Sequence, residues 1–304
     1  MNALLKPFKI FALIFVLLFS ALFGHFNHSA ELYYSENEVS FYTKTAEIAG
    51  LNGEVIAIGG GFDTEDRFKA LIDECISHTK KETPKMLFVP TANFDLLHET
   101  EEIVEWFKNA GCETDVLLVS QQSITEIAKQ ISEADIIYAT GGNLKFLTEN
   151  WRQKGVFEMM KLAFYRGAVL IGPSSGAMCW ARRGWDCCGE DEFRITDSFP
   201  FVGMDASYDY YHCANIIPFC ICPHFNNIAW RVFAFNAAEL DIPSLCIENG
   251  AAVVYKGGRY SVISDSKTPS RTAYFFNPGR NMQMLDVKKN ADLLTVSDGE
   301  YRLK

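Results

Sequence analysis

Between Gly53 and Ala177, short apolar, β-branched runs take turns with amphipathic stretches, and a chain that alternates in this way has few architectures open to it. The runs at 55–58, 85–89, 114–119, 136–139 and 169–171 have the length and composition of strands. Between them, 63–79, 97–110, 123–133, 143–155 and 156–165 carry helical periodicity. Strands separated by helices in this order run parallel, because each crossover returns the chain to the same end of the sheet. The expected fold is therefore α/β, a mostly parallel, doubly wound sheet with helices on both faces. Beyond Arg183 the pattern is irregular as far as Phe219. It then gives a helix over 226–240 and a β-rich end, with strands at 244–247, 251–255, 260–263 and 272–276 and a hairpin turn at Gly257-Gly258.

The last strand of the alternating part runs straight into Gly172-Pro173-Ser174-Ser175-Gly176. A G-x-S-x-G string between a strand and a helical segment reads as a nucleophile elbow. The turn exposes the Ser174 hydroxyl, and the next backbone N–H can face a developing oxyanion. Two other glycine-rich turns, Gly59-Gly60-Gly61 and Gly141-Gly142-Asn143, also follow expected strands. Ligands of open α/β sheets bind at the carboxyl ends of strands, which puts all three turns on one rim. The first turn is not a dinucleotide fingerprint, because Thr64 stands where the third glycine of G-x-G-x-x-G belongs.

A serine nucleophile needs a base and a group that orients the base. Of the six histidines, His25 and His28 lie in or beside the N-terminal segment, and His78 and His98 sit on expected helices where solvent is the default environment. His212 falls in the irregular, Tyr-rich stretch. His224 ends an apolar run in Ile221-Cys222-Pro223-His224-Phe225 and is the better candidate. Glu248, which closes the run Ser244 to Ile247, and Asp186, shortly after the elbow, compete for the orienting role. With Glu248 the chain order is Ser, His, Glu, unlike the Ser, Asp/Glu, His order of α/β-hydrolases, so that fold is disfavoured.

Taken together, Gly141-Gly142-Asn143-Leu144-x-Phe146-Leu147, Gly172-x-Ser174-x-Gly176-Ala177, Cys222-Pro223-His224-Phe225 and Ile247-Glu248-Asn249-Gly250-Ala251 resemble the peptidase E (aspartyl dipeptidase) family, to which cyanophycinase is related. The resemblance covers roughly residues 53 to 277; Thr91-Ala92-Asn93 and Asn150-Trp151-Arg152-x-x-Gly155 also look like family segments. It implies a class I glutamine amidotransferase-like, flavodoxin-like fold. It further implies Ser174 as nucleophile, His224 as general base and then acid, and Glu248 as orienting carboxylate, with Asp186 as a supporting acid. The oxyanion donors it implies are the N–H of Gly142 or Asn143 together with that of Ser175. Ser175 and Pro173 depart from the usual family residues, as do Arg182-Arg183 and Trp185-Asp186-Cys187-Cys188. Serine rather than cysteine at the elbow argues against glutamine hydrolysis. The expected activity is a serine peptidase acting through an acyl-enzyme on short peptides, with an N-terminal Asp met by Arg182, Arg183 or Arg231. The rival readings are a hydrolase of another amide, such as an acidic polymer, and a catalytically silent, membrane-tethered binding relative.

Charge narrows the partners. A net charge of −10 excludes an electrostatic nucleic-acid binder, which needs a basic face, and leaves small peptides as the expected ligands. The chemistry requires no cofactor, and no cysteine pair has a second pair or a histidine pair at zinc spacing, so no metal is expected. Nine cysteines cannot all pair within the chain and are expected mainly as free thiols filling core space. Lys6 and Lys9 precede fifteen uncharged residues, Ile10 to Gly24, of signal-peptide h-region length. Residues 1–30 therefore read as an export signal or membrane anchor, 31–52 as a linker, and 53–304 as one α/β domain. The two basic residues favour an N-terminus kept inside and a domain outside, whereas free thiols favour a reducing, cytoplasmic location.

Overall fold

The computed structural model describes residues 53–97, 101–187, 209–237, 240–256 and 259–276, and the backbone of three further short strands at 282–284, 294–297 and 300–303. The expected N-terminal segment, the linker, His98, Cys188 and the Gly257-Gly258 turn lie outside the described residues. Five strands, β1 (Glu54–Ile58), β2 (Lys85–Val89), β3 (Glu113–Val116), β4 (Ile136–Ala139) and β5 (Val169–Pro173), form a parallel array in the order β1-β5-β4-β2-β3. The crossovers are α1 (Glu65–Thr79), α2 (Glu101–Asn109), α3 (Ile124–Glu133), α4 (Leu144–Gln153) and α5 (Val156–Arg166).

Local signals fix the helix ends. Ser123 and Glu126 make a reciprocal capping box at the start of α3, the Asn143 side chain caps α4, and Gly167 ends α5 with φ 110°. The strands sort their side chains by alternation. Val55 and Ala57, Leu87 and Val89, and Ile137 and Ala139 pack on the face that carries α3, α4 and α5. Ile56 and Ile58, Met86 and Phe88, and Ile136 and Tyr138 pack against α1 and α2.

After the elbow come α6 (Ser175–Met178), β6 (Ala181–Asp186), β7 (Asp209–His212), β8 (Ile217–Cys222), α7 (Ile228–Arg231), α8 (Phe233–Ala237), β9 (Ser244–Ile247), β10 (Ala251–Lys256), β11 (Arg259–Ser264), β12 (Ala273–Phe276), β13 (Met282–Met284), β14 (Leu294–Ser297) and β15 (Glu300–Leu303). β10 joins β1 antiparallel and β11 follows it, which completes a seven-stranded sheet. A second sheet of six strands has the order β13-β12-β9-β8-β6-β7. One of its faces, with Ile221, Leu245, Ile247 and Phe275, shares the core of α3 to α5, and the other buries Cys220, Cys222 and Cys246 against Phe225 and Phe233.

Two expectations are corrected. The stretch from Arg183 contains β6, β7 and β8 rather than irregular chain alone. A register shift between Ala181 and Arg183 and the half-exposed edge strand β7 hide the period-two pattern. The helix over 226–240 is two short helices, α7 and α8. Ile228 and Phe235 are exposed rather than part of a buried stripe, so no single amphipathic face runs the whole length.

Candidate active site

Ser174 sits between β5 and α6 with φ 53° and ψ −119°, a backbone conformation that a residue with a Cβ rarely adopts. The elbow can be this tight because both of its glycines touch β4. A Cβ on Gly172 or Gly176 would lie 2.3 or 2.0 Å from the Ala139 carbonyl. The Ser174 N–H donates to the Ile58 carbonyl at 3.1 Å, at the end of β1.

His224 hangs from the next carbonyl of the same strand end. Its N–H donates to Gly59 O at 2.9 Å, and its φ is also 53°. Two residues far apart in sequence are thus suspended in left-handed conformations from consecutive carbonyls. Gly60 makes room for the second, since a Cβ there would stand 2.7 Å from the imidazole and 2.2 Å from Asn249 Oδ1. Gly141, in the second glycine-rich turn, would place a Cβ 3.3 Å from Ser174 Cβ. The three turns therefore share one rim.

The side chain that His224 meets is Asn249. Its Oδ1 lies 2.6 Å from His224 Nδ1, so Nδ1 carries the proton and Nε2 keeps its lone pair. Asn226 Oδ1 accepts from the Asn249 N–H at 2.8 Å and fixes that turn. Burial pushes the His224 pKa below its ordinary value, and the Asn249 hydrogen bond opposes the shift only in part. The imidazole is accordingly neutral and fit to accept a proton near pH 7.

Glu248, expected in the orienting position, faces the other way. Its carboxylate accepts from the Thr272 N–H at 3.2 Å and the Tyr274 hydroxyl at 3.3 Å, and lies 3.9 Å from Arg271, all on the β12 side. Asp186 does not take the role either. It is buried at the end of β6, accepts from the Cys187 N–H at 2.8 Å, and lies 3.5 Å from Ser175 Oγ. His212 is exposed on β7, and His78, expected in solvent, is half-buried with its Nδ1 3.0 Å from Glu54. Sequence reasoning passed over Asn249 and Asn226, although both lie in or beside quoted motifs.

Gly142 and Asn143 are the alternatives expected to donate beside Ser175, and their N–H groups differ in what they meet. The Asn143 N–H is committed to the Ala92 carbonyl at 2.7 Å, and Asn143 Oδ1 accepts from Phe146 N at 2.8 Å, which withdraws Asn143 from the pair. Ser175 Oγ donates to the Gly142 carbonyl, so the Gly142–Asn143 peptide is clamped at both ends. The N–H groups of Gly142 and Ser175 meet no protein acceptor among the described residues. Of the expected substrate cations, Arg183 is paired with Asp241 at 3.1 Å, towards the start of β9 and away from the rim. Arg231 lies over the Phe225 ring at 6.0 Å, and Arg182 is half-buried on β6.

A serine elbow and a histidine on one rim of an α/β sheet is the layout found in α/β serine hydrolases. Residues 55–263, well over half of the chain, match the model of peptidase family S51. The chain belongs to that family, the serine peptidases of the peptidase E type. It is similar to the uncharacterized peptidase YgaJ of Bacillus subtilis (strain 168), with 30% identity over 132 residues that span 43% of this chain and 57% of the Bacillus protein. Its fold is similar to the crystal structure of a peptidase from an acI-B1 Actinobacterium, with a TM-score of 0.56 at 19% identity, covering 78% of this chain and 96% of that one. A second structure, from Listeria monocytogenes EGD-e and assigned to peptidase E, gives a TM-score of 0.52 at 19% identity over 70% of this chain and 99% of that one. At such identities the two structures speak to fold.

Proposed function

We propose that the protein hydrolyses short peptides with an N-terminal Asp through an acyl-enzyme on Ser174. The observation that carries the reading is the suspension of Ser174 and His224 from consecutive carbonyls of one strand end, with Asn249 fixing the imidazole tautomer. His224 Nε2 takes the Ser174 proton as Oγ attacks the peptide carbonyl. The Gly142 and Ser175 N–H groups receive the oxyanion, a contribution of about 3 to 4 kcal/mol per donor. His224 then returns the proton to the leaving amine, and the same imidazole activates the water that frees the acyl group.

For the substrate carboxylate we assign Arg271 in place of the arginines expected from sequence. It borders the Asn249-Gly250 turn, with Cγ 3.3 Å from where a Gly250 Cβ would stand, and its side chain is 42% exposed. Its contact with Glu248, at 3.9 Å, is too long for a hydrogen bond and leaves donors for a ligand. We further propose that residues 10–24 tether the enzyme to a membrane, read by whether the full chain stays with membranes after alkaline extraction.

The test is hydrolysis of an Asp-x dipeptide panel, with other N-terminal residues as controls, by the full chain and its Ser174→Ala variant. Serine-dependent cleavage confined to Asp-x is the expected result. Ser174→Ala turnover close to wild type would overturn the nucleophile. Cleavage of an acidic polymer in place of dipeptides would shift the substrate, and absence of both cleavage and fluorophosphonate labelling would leave a silent binding relative.

A further inference from the structure

Phe94 is 49% exposed, yet it stands on a turn that several hydrogen bonds hold. Phe94 and Asp95 both have φ 56°, two consecutive left-handed residues neither of which is glycine. Hydrogen bonds hold them there. Phe94 N–H donates to Thr91 O at 3.0 Å, Asp95 N–H to Pro90 O at 3.1 Å, and the buried Trp151 indole to Thr91 Oγ1 at 3.2 Å. The Asp95 carboxylate is itself buried and accepts from the Ser120 N–H at 2.6 Å.

The turn is one wall of the active site. Ala92, two residues before Phe94, accepts the Asn143 N–H, and its carbonyl lies 2.4 Å from where a Gly142 Cβ would stand. Across that contact Phe146, in the first turn of α4, meets the Phe94 ring at 4.8 Å, and Leu96 beside it is 47% exposed. The opposite wall has different chemistry: Arg67 lies against Gly61 and Arg271 against Gly250.

We propose that Phe94 and Phe146 form the subsite for an apolar, preferably aromatic, side chain on the leaving-amine side of the scissile bond. The side rests on the reading above, in which the acidic acyl residue faces the Arg271 wall. Preferred substrates then pair an acidic residue with an apolar one, Asp-Phe and Asp-Leu ahead of Asp-Gly.

Binding to the full-length Ser174→Ala protein tests this without turnover. By calorimetry, Asp-Phe should bind about tenfold more tightly than Asp-Gly, the gain from partial burial of one aromatic side chain. Adding Phe94→Ala or Phe146→Ala should bring the ratio within about twofold of unity. Phe94→Gly, which relieves the left-handed strain, should lose the preference with Tm unchanged or raised, separating the subsite from the fold. Equal affinities, undetectable Asp-Phe binding, or a ratio that survives both aromatic variants would overturn the subsite. Failure of wild-type protein to cleave a peptide that its Ser174→Ala variant binds would instead count against the peptidase reading on which the subsite rests.

Discussion

At the scale of residues, the consequential choice is an amide beside His224. Asn249 fixes the tautomer as a carboxylate would, but it brings no negative charge to the imidazolium that the proposed acyl transfer forms on His224. Desolvation therefore dominates and holds the His224 pKa below its ordinary 6.5. Activity requires the neutral base, so the acid limb of kcat/KM against pH should have its midpoint below 6.5, and a limb at or above 6.5 would contradict the assignment. Asn249→Asp should move that limb upward by about one unit, by adding a charge that favours the imidazolium. Asn249→Ala should lower kcat by about 10²- to 10⁴-fold, whereas Glu248→Gln should keep kcat within about fivefold while lowering Tm. The same shift acts on stability. Below pH 6.5 the unfolded chain takes up the proton before the folded one, so His224's contribution is intact above that pH and declines as pH falls towards the folded value. The placement of Ser174 and His224 on the rim was legible because each follows a recognisable strand end. The orienting residue was misplaced by one position: after β9 successive side chains point to opposite sides, Glu248 to β12 and Asn249 to the imidazole, and only the fold says which side is the site.

Elements enter through the three glycine-rich turns, whose spacing foretold a shared rim and whose close contacts show why glycine is required. Gly176 brings α6 against β4 so closely that Gly176→Ala should cost about 3 kcal/mol or more, seen as a large fall in Tm, because the obstructing atom is the Ala139 backbone carbonyl and cannot step aside. Gly60→Ala is a different experiment. At φ 128° its Cβ would meet the Asn249 side chain at 2.2 Å, so the His224–Asn249 pair is displaced. A shift of about 1 Å costs on the order of a hundredfold in turnover. Peptide turnover measured alongside far-UV circular dichroism separates this loss from unfolding, and turnover close to wild type would show that the turn does not position the pair. The parallel strands and their helices were legible because both faces of that sheet are buried and its crossovers are regular. The break between α7 and α8 was not, because apolar residues there lie on more than one side and mimic a continuous period.

For the whole molecule, local pattern is weakest where a second sheet shares the core of the first. β6, β8 and β9 run parallel with only part of their connecting chain helical, and β7 and β12 join them from distant stretches, so the sheet is defined by long-range pairing. This sheet also explains the cysteines. Cys220, Cys222 and Cys246 fill the face that packs against Phe225 and Phe233, Cys75 on α1 and Cys112 after α2 belong to the core on that side of the first sheet, Cys179 is buried behind the elbow, and all the described cysteines are free thiols. Burial pushes the thiols of Cys75, Cys179, Cys220 and Cys222 well up, Cys112 to about 11 and Cys213 to about 12, which leaves little thiolate on them at neutral pH. The native protein should therefore react slowly with a thiol reagent at pH 7.5. Denaturant should release a large additional set of thiols at once, and a reductant should leave Tm unchanged. Cys222 and Cys246 are the sharpest case, being register partners on β8 and β9 just before His224 and Asn249. A disulfide between them would tie together the two strand ends that carry the base and its orienting group, and would appear as a reductant-dependent Tm and as missing thiols after unfolding. Full thiol recovery from protein purified without reductant is the expected result, and it would place the rigidity of the site in the packing of the second sheet rather than in a covalent tie.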